Sequence, residues 1–194
     1  SQVLRCAKVL GKSGLRLGGR DFDRWIVNYL YPEKKFTENL LNSAERLKCK
    51  LSQSGLKFNE VLYESTNEGP QGQPQHLSMS RIQLEEILTK KGFFKSLKVL
   101  LEETLARARA NGCTLKDLQG VVAVGGGARI PLVKNWLATN TKPVPLMTPP
   151  PIEAVATGAL RLTPGVEIRD VLNKGVSLRC WDQRSSNHIW HPLF

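Results

Sequence analysis

Two groups of residues in this chain have types and spacing that could do chemistry. Glu45, Lys48 and Ser52 stand at i, i+3 and i+7. On a helix, at about 100° per residue, they fall within about 60° of one another, so an acid, a base and a hydroxyl form a single polar strip. The same spacing is also that of an ordinary ion pair on a solvated helix face. The second group is the junction in which Val121-Val122-Ala123-Val124 runs into Gly125-Gly126-Gly127-Ala128-Arg129-Ile130-Pro131. Four apolar residues predict a buried parallel strand, three glycines a turn where backbone must come close to something, and Pro131 the first turn of the next helix. Glycines without side chains let a ligand approach the main chain, and the N–H groups of such a turn favour anions. Nucleotide binding is the chemistry this junction suggests, although strand-to-helix glycine turns also serve packing alone.

The elements that must position these groups follow from periodicity. Leu40, Ala44, Leu47 and Leu51 make an apolar stripe beside the polar strip, which predicts a helix with that stripe in the core. Upstream, Val3 to Leu10, a Gly11-Lys12-Ser13-Gly14 turn and Leu15 to Leu17 predict an opening hairpin. The small and acidic residues Gly18-Gly19-Arg20-Asp21-Phe22-Asp23 suit a helix start, with Trp25, Ile26, Tyr29 and Leu30 at helical spacing and Pro32 ending the run. Gly55 to Glu64 alternates as a strand does, and Ser65 to Gln75 reads as a loop. Ser80 and Gln83 form a capping-box pattern opening a helix that breaks at Lys91-Gly92, after which a second helix runs from Phe93 until Gly112. Pro143 to Met147 predicts a short strand, and the small residues of Glu153 to Leu160 predict a helix packed closely against the sheet. Beyond Pro164 short apolar groups in a polar background read as a linker and an added strand.

At 194 residues the chain is long enough for one large domain or two small ones. Its four cysteines, Cys6, Cys49, Cys113 and Cys180, lie far apart, which fits a reduced, cytoplasmic setting and suggests neither a zinc site nor a redox pair. No apolar run of about 18 residues suits a bilayer span, so no membrane association is expected. The net charge of +11 raises nucleic-acid contact, but the basic residues are dispersed without interleaved aromatics, and nucleic acid is not expected as the main partner. His188 and His191 have metal-ligand spacing with only Cys180 near them in sequence, and no metal site is assigned. Trp181, Trp190, His191 and Phe194 crowd the end, which suggests a piece of a longer protein.

Leu17-Gly18-Gly19-Arg20-Asp21-Phe22-Asp23, the run Ala44 to Ser52, Val124-Gly125-Gly126-Gly127-Ala128-Arg129-Ile130-Pro131 and the run Glu153 to Ala159 occur in the order seen in the seventy-kilodalton heat-shock chaperones. Over about Val3 to Leu162 the chain resembles the second lobe of that family's actin-like ATPase domain. The tail from Arg169 resembles its interdomain linker and the first strand of its peptide-binding domain. The resemblance implies an α/β fold of the ribonuclease H-like type, a mixed sheet flanked by helices, with a smaller α+β insert at about 24–115 inside a half-domain of residues 1–164, and a linker segment at 165–194. It implies ATP or ADP as ligand: Glu45 and Lys48 on ribose hydroxyls, Ser52 at the adenine edge, Arg129 stacking on the base and Gly125, Gly126 and Gly127 facing phosphate. Gly18, Gly19, Cys49 and Ile152 fall at possible further contacts.

The departures are specific. Gly127 replaces a serine and Ile152 an acid, each of which the resemblance gives as a polar contact, and Cys49 replaces a long arginine or an aliphatic residue, which implies thinner stacking on that side of the base. The family's first lobe carries the phosphate loops, the Mg2+-positioning carboxylates and the catalytic lysine, so this chain alone is expected not to hydrolyse ATP. The resemblance implies an ATPase chaperone as parent, with unfolded peptide clients and co-chaperones as partners. Two other readings stand beside it: a non-enzymatic regulatory protein of the same fold with weakened nucleotide binding, and another actin-like superfamily member such as a sugar kinase.

Overall fold

The computed structural model describes residues 5–33, 35–67, 74–150, 153–162, 166–169, 177–182 and 186–192. In chain order these form β1 (Arg5–Lys8), α1 (Gly19–Leu30), α2 (Glu38–Leu51), β2 (Val61–Thr66), β3 (Gln75–Ser80), α3 (Arg81–Lys90) and α4 (Phe93–Ala110). They continue as β4 (Val121–Val122), α5 (Pro131–Asn140), β5 (Leu146–Met147), α6 (Ala154–Leu162), β6 (Val166–Arg169), β7 (Ser177–Asp182) and β8 (Asn187–Pro192). Strands pair as β1 with β6 and β4 with β5, both parallel, and as β2 with β3 and β7 with β8, both antiparallel. The single mixed sheet expected from the sequence is thus represented, among the described residues, by separate two-stranded pairs. None of the described helices is long and apolar enough to cross a membrane.

Two adjoining cores explain why α1 and α2 lie where they do. The predicted stripe Leu40, Ala44, Leu47 and Leu51 is at most 1% exposed and packs with Ile26 and Val27 of α1, Leu77 and Met79 of β3, and Leu84 and Ile87 of α3. A second cluster joins Phe22, Leu88 and Phe93 to Ile130 and Val133, so the segment after the glycine turn is anchored on α1, α3 and α4. Phe22 and Phe93 meet edge to face with ring centroids 4.9 Å apart, an arrangement favoured by the aromatic quadrupole. At the C-terminal end of α2, the buried Arg81 guanidinium donates to the carbonyls of Leu51, Gln53 and Leu56. The Leu51 carbonyl is a backbone acceptor that the helix end leaves without a partner, those of Gln53 and Leu56 belong to the turns that follow, and a cation there also suits the helix dipole. Arg81 therefore holds the turn that carries Ser52.

Several local expectations are met and several are corrected. Ser80 caps α3 in a reciprocal box with Gln83, Gly92 breaks α3 from α4 with a φ of 71°, and Pro131 sits in the first turn of α5. The opening hairpin does not form. Residues 10 to 13 instead lie along α4, where Ser13 donates to the Leu100 carbonyl at 3.0 Å and Asn111 donates to the Leu10 carbonyl at 2.9 Å. Gly11 is close enough that a Cβ there would stand 2.5 Å from the Thr104 oxygen, while β1 takes its partner from β6. Turns occupy 55 to 60, so the strand expected from Gly55 begins only at Val61. Its partner β3 has no counterpart among the elements expected from the sequence. The expected buried strand at 121–124 shortens to β4, with Ala123 buried but Val122 and Val124 exposed. The helix expected to pack tightly, α6, leaves Val155 and Leu160 exposed, and a Cβ at Gly158 would meet nothing within 4 Å.

The β2–β3 ribbon is tied to α2 by charge. Glu64 receives Lys50 Nζ at 2.6 Å and Arg46 Nε at 3.1 Å, and these two cations hold its carboxyl below the usual range. Because the folded pKa is lowered, the stability Glu64 contributes is present above the ordinary glutamate pKa and is lost as pH falls through the lowered value. Glu64→Gln is expected to cost about 1 kcal/mol at neutral pH, with the difference from wild type closing in acid, as measured by urea unfolding across pH.

Candidate functional site

The polar strip of α2 and the glycine turn line one cleft. Glu45, Lys48, Cys49 and Ser52 form one wall, Gly126, Gly127, Arg129 and Ile130 the other, and Gly19 with Phe22 closes the α1 end, around a cavity of about 300 Å³. Each wall is held by the packing above: α2 through its apolar stripe, the turn through Ile130 in the second core. A wider groove of about 970 Å³ shares Ser52 and Arg129 but contains neither Glu45, Lys48 nor the glycines. The smaller cleft is the one where acid, base, hydroxyl and glycine backbone converge.

Lys48 is the most constrained group in it. Its ammonium donates to Asp23 Oδ1 at 2.6 Å and to the Gly19 carbonyl at 3.0 Å, with the Lys48 side chain 11% and the Asp23 side chain 1% exposed. The solvated i, i+3 pair that spacing allows is therefore not what forms, since Lys48 turns to α1 and not to Glu45. Burial pushes the Asp23 carboxyl up, and the hydrogen bond and charge of Lys48 pull it back. A buried ammonium without such a partner would be costly, so the two helices are locked by mutual need.

The remaining groups are arranged around that lock. Ser52 ends α2 and its hydroxyl donates to the Lys48 carbonyl at 2.8 Å, which leaves the hydroxyl oxygen able to accept. Glu45, Cys49 and Arg129 line the cleft from its more open side. Gly126 to Arg129 form one 3-10 turn in which Ala128 N–H is taken by the Gly125 carbonyl and Ile130 N–H by the Gly127 carbonyl, each at 3.2 Å. The first amides of such a turn, those of Gly126 and Gly127, have no carbonyl of the turn behind them. A Cβ at Gly126 or Gly127 would meet nothing within 4 Å, whereas Gly125 has a φ of 86°.

Of the residues singled out from the sequence, the structure brings Glu45, Lys48, Ser52, Gly126, Gly127, Arg129, Gly19 and Cys49 to this cleft. Gly125 and Gly18 do not line it: Gly125 starts the turn, and Gly18 starts α1 with its N–H on Asp21 Oδ2 at 2.8 Å. Ile152 lies outside the described residues, as does the side chain of His191. The sequence marks Asp23 only as part of a helix start. A signal for its role is nonetheless present, because an acid flanked by Phe22, Ile26 and Val27 on a buried stripe demands a buried cation. Among the described residues no three His, Cys, Asp or Glu side chains gather as metal ligands.

The profile of the Hsp70 protein family matches residues 8–172. This chain belongs to the Hsp70 family. It is 32% identical over 166 residues to the chaperone protein dnaK of Cyanidium caldarium, covering 78% of this chain and 26% of that protein. It is also 32% identical over 179 residues to chaperone protein dnaK1 of a Prochlorococcus marinus strain, SARG, covering 84% of this chain and 26% of that protein. With chaperone protein DnaK of another Prochlorococcus marinus strain, MIT 9515, it shares 31% over 182 residues, 85% of this chain and 27% of the relative. The chain thus spans about a quarter of the length of these relatives. Hsp70 membership implies an actin-like ATPase fold, with which the mixture of helices and small sheets agrees, and it does not favour the sugar-kinase reading.

The glycines of the turn differ in what they are needed for. Gly125→Ala places a Cβ at a positive φ and is expected to cost about 1–3 kcal/mol, whereas Gly126→Ala is expected to change stability by no more than about 0.5 kcal/mol. Thermal unfolding of the two variants side by side tests this, and equal losses would contradict the assigned geometry.

Proposed function

We propose that this chain is the second lobe of an Hsp70-type ATPase domain and that the cleft between α2 and the glycine turn holds ADP or ATP by its adenosine. The observation that carries the reading is that Glu45, Lys48 and Ser52 share one cavity with Gly126, Gly127 and Arg129. Glu45 accepts from a ribose hydroxyl and Lys48 donates to one through the N–H that Asp23 and Gly19 leave uncommitted. Ser52 accepts from the amino edge of adenine while donating to its own helix. Arg129, with its planar guanidinium, stacks on the base, and the amides of Gly126 and Gly127 face the phosphates. The donor set fits a neutral nucleoside with an anionic tail. Chemistry at the phosphates is supplied by Mg2+ and by groups of the other lobe, and phosphoryl transfer is not assigned to the residues of this cleft.

Residues 1–164 form the nucleotide-binding half-domain with an insert at about 24–115, and 165–194 form the linker and the start of a peptide-binding domain. The parent polypeptide is a cytoplasmic ATPase chaperone acting on unfolded peptides with co-chaperones, nucleotide closure of the lobes being signalled through the linker.

Isothermal titration with ADP tests the cleft. The wild-type chain is expected to bind with one site, and Arg129→Ala to weaken binding about tenfold, roughly 1.4 kcal/mol. Equal heats and affinities in the two proteins would remove Arg129 from the site, and no binding by the wild type would remove the site itself.

A further inference from the structure

We infer that Asp23, which does not line the cleft, is the positioning residue that keeps Glu45 and Lys48 separately available to the two hydroxyls of a ribose, and so makes the cleft selective for ribonucleotides over nucleotides lacking those hydroxyls. The inference rests on the adenosine reading of the cleft. Glu45 and Lys48 are one helical turn apart on α2, a spacing at which acid and base ordinarily pair with each other. Here they do not. Lys48 gives one N–H to Asp23 at 2.6 Å and one to the Gly19 carbonyl at 3.0 Å, and Glu45 has no ion-pair partner among the described residues.

The reason lies in where Asp23 sits. It is on the buried face of α1 between Phe22 and Ile26, 1% exposed, and an ionised carboxylate there requires a cation. Lys48 is the cation that reaches it across the α1–α2 interface. An ammonium has three N–H donors, so the two spent on Asp23 and Gly19 fix the direction of the third. Without Asp23 the flexible four-carbon stem is no longer held to α1, and the nearest acid on its own helix is Glu45. A Glu45–Lys48 pair would occupy the carboxylate and the ammonium with each other and leave the diol of a ribose with neither. Gly19 belongs to the same device: a Cβ there would stand 3.2 Å from Lys48 Nζ, so the glycine leaves room for the ammonium to reach both acceptors.

The test compares the affinities of ADP and 2′,3′-dideoxy-ADP for the same chain by titration calorimetry. The wild type is expected to prefer ADP by about tenfold or more, the scale set by losing hydrogen bonds to charged groups. Asp23→Asn keeps the size and an acceptor but loses the charge, and is expected to bring the ratio close to one, whereas Lys48→Met, which leaves Glu45 open to a hydroxyl, is expected to lower the ratio only part of the way. The double variant Asp23→Asn/Lys48→Met is expected to show the Lys48→Met ratio with no further fall. A ratio of affinities is read on the folded fraction alone, so a merely structural role for Asp23 would weaken both ligands alike and leave the ratio at its wild-type value. That outcome in Asp23→Asn, or a further fall of the ratio in the double variant, would overturn the inference while leaving the adenosine cleft standing. Failure of the wild type to bind ADP would overturn both.

Discussion

The contact on which the rest depends is the buried bond between Asp23 and Lys48. It joins α1 to α2 at the point where their shared core meets the cleft, with both charges largely out of water and the Gly19 carbonyl completing the coordination of the ammonium. A buried ion pair adds little net stability compared with an apolar pair of the same shape, but removing one partner leaves the other charged and alone. Its value is therefore in specification. Only the alignment of α1 and α2 that brings position 23 to position 48 is tolerable, and that alignment sets the wall that Glu45, Cys49 and Ser52 present. The aliphatic contacts of the core would permit small slips between the helices; the charge pair does not.

The opposite wall is positioned by different means. The glycine turn has little packing of its own, and its place is taken from Ile130 and Val133 in the second core and from Gly125, whose backbone conformation directs the chain from β4 into the turn. Ser52 is fixed in turn by Arg81, which gathers the carbonyls at the end of α2. The site is thus a joint between two cores: a rigid acid-base-hydroxyl strip and a backbone-lined bend, brought face to face by Phe22, which contributes both to the cleft and to the second core.

How much of this is legible in the sequence depends on whether the determining contact is local. The capping box at Ser80 and Gln83, the break at Gly92, Pro131 at its helix start and the apolar stripe of α2 are all set within a turn or two of chain, and each can be read there. So can the polar strip, because helical spacing alone places its members together. Contacts distant in sequence cannot. The partner of β1 is β6 at the other end of the chain, and the glycine turn after Leu10 that resembles a hairpin is instead shaped by contact with α4. Strand β3 has a mixed composition, Gln75-His76-Leu77-Ser78-Met79-Ser80, whose inward residues Leu77 and Met79 are recognisable only once α2 is known to cover them. The buried pair joins residues on two helices, so spacing points to Glu45 as the partner of Lys48 when the partner is Asp23. Membership in the Hsp70 family accounts for why the four sequence motifs occur together; the geometry adds how the residues between them hold the motifs in one place.

The central claim is that adenine nucleotide occupies a single cleft bounded on one side by α2 and on the other by the glycine turn. Backbone amide NMR during titration with ADP examines both walls at once. The account predicts that the amides of Gly126 and Gly127 and those of Glu45 to Ser52 shift together and saturate with one common dissociation constant. Shifts confined to one wall, or saturating at different concentrations on the two, would contradict it.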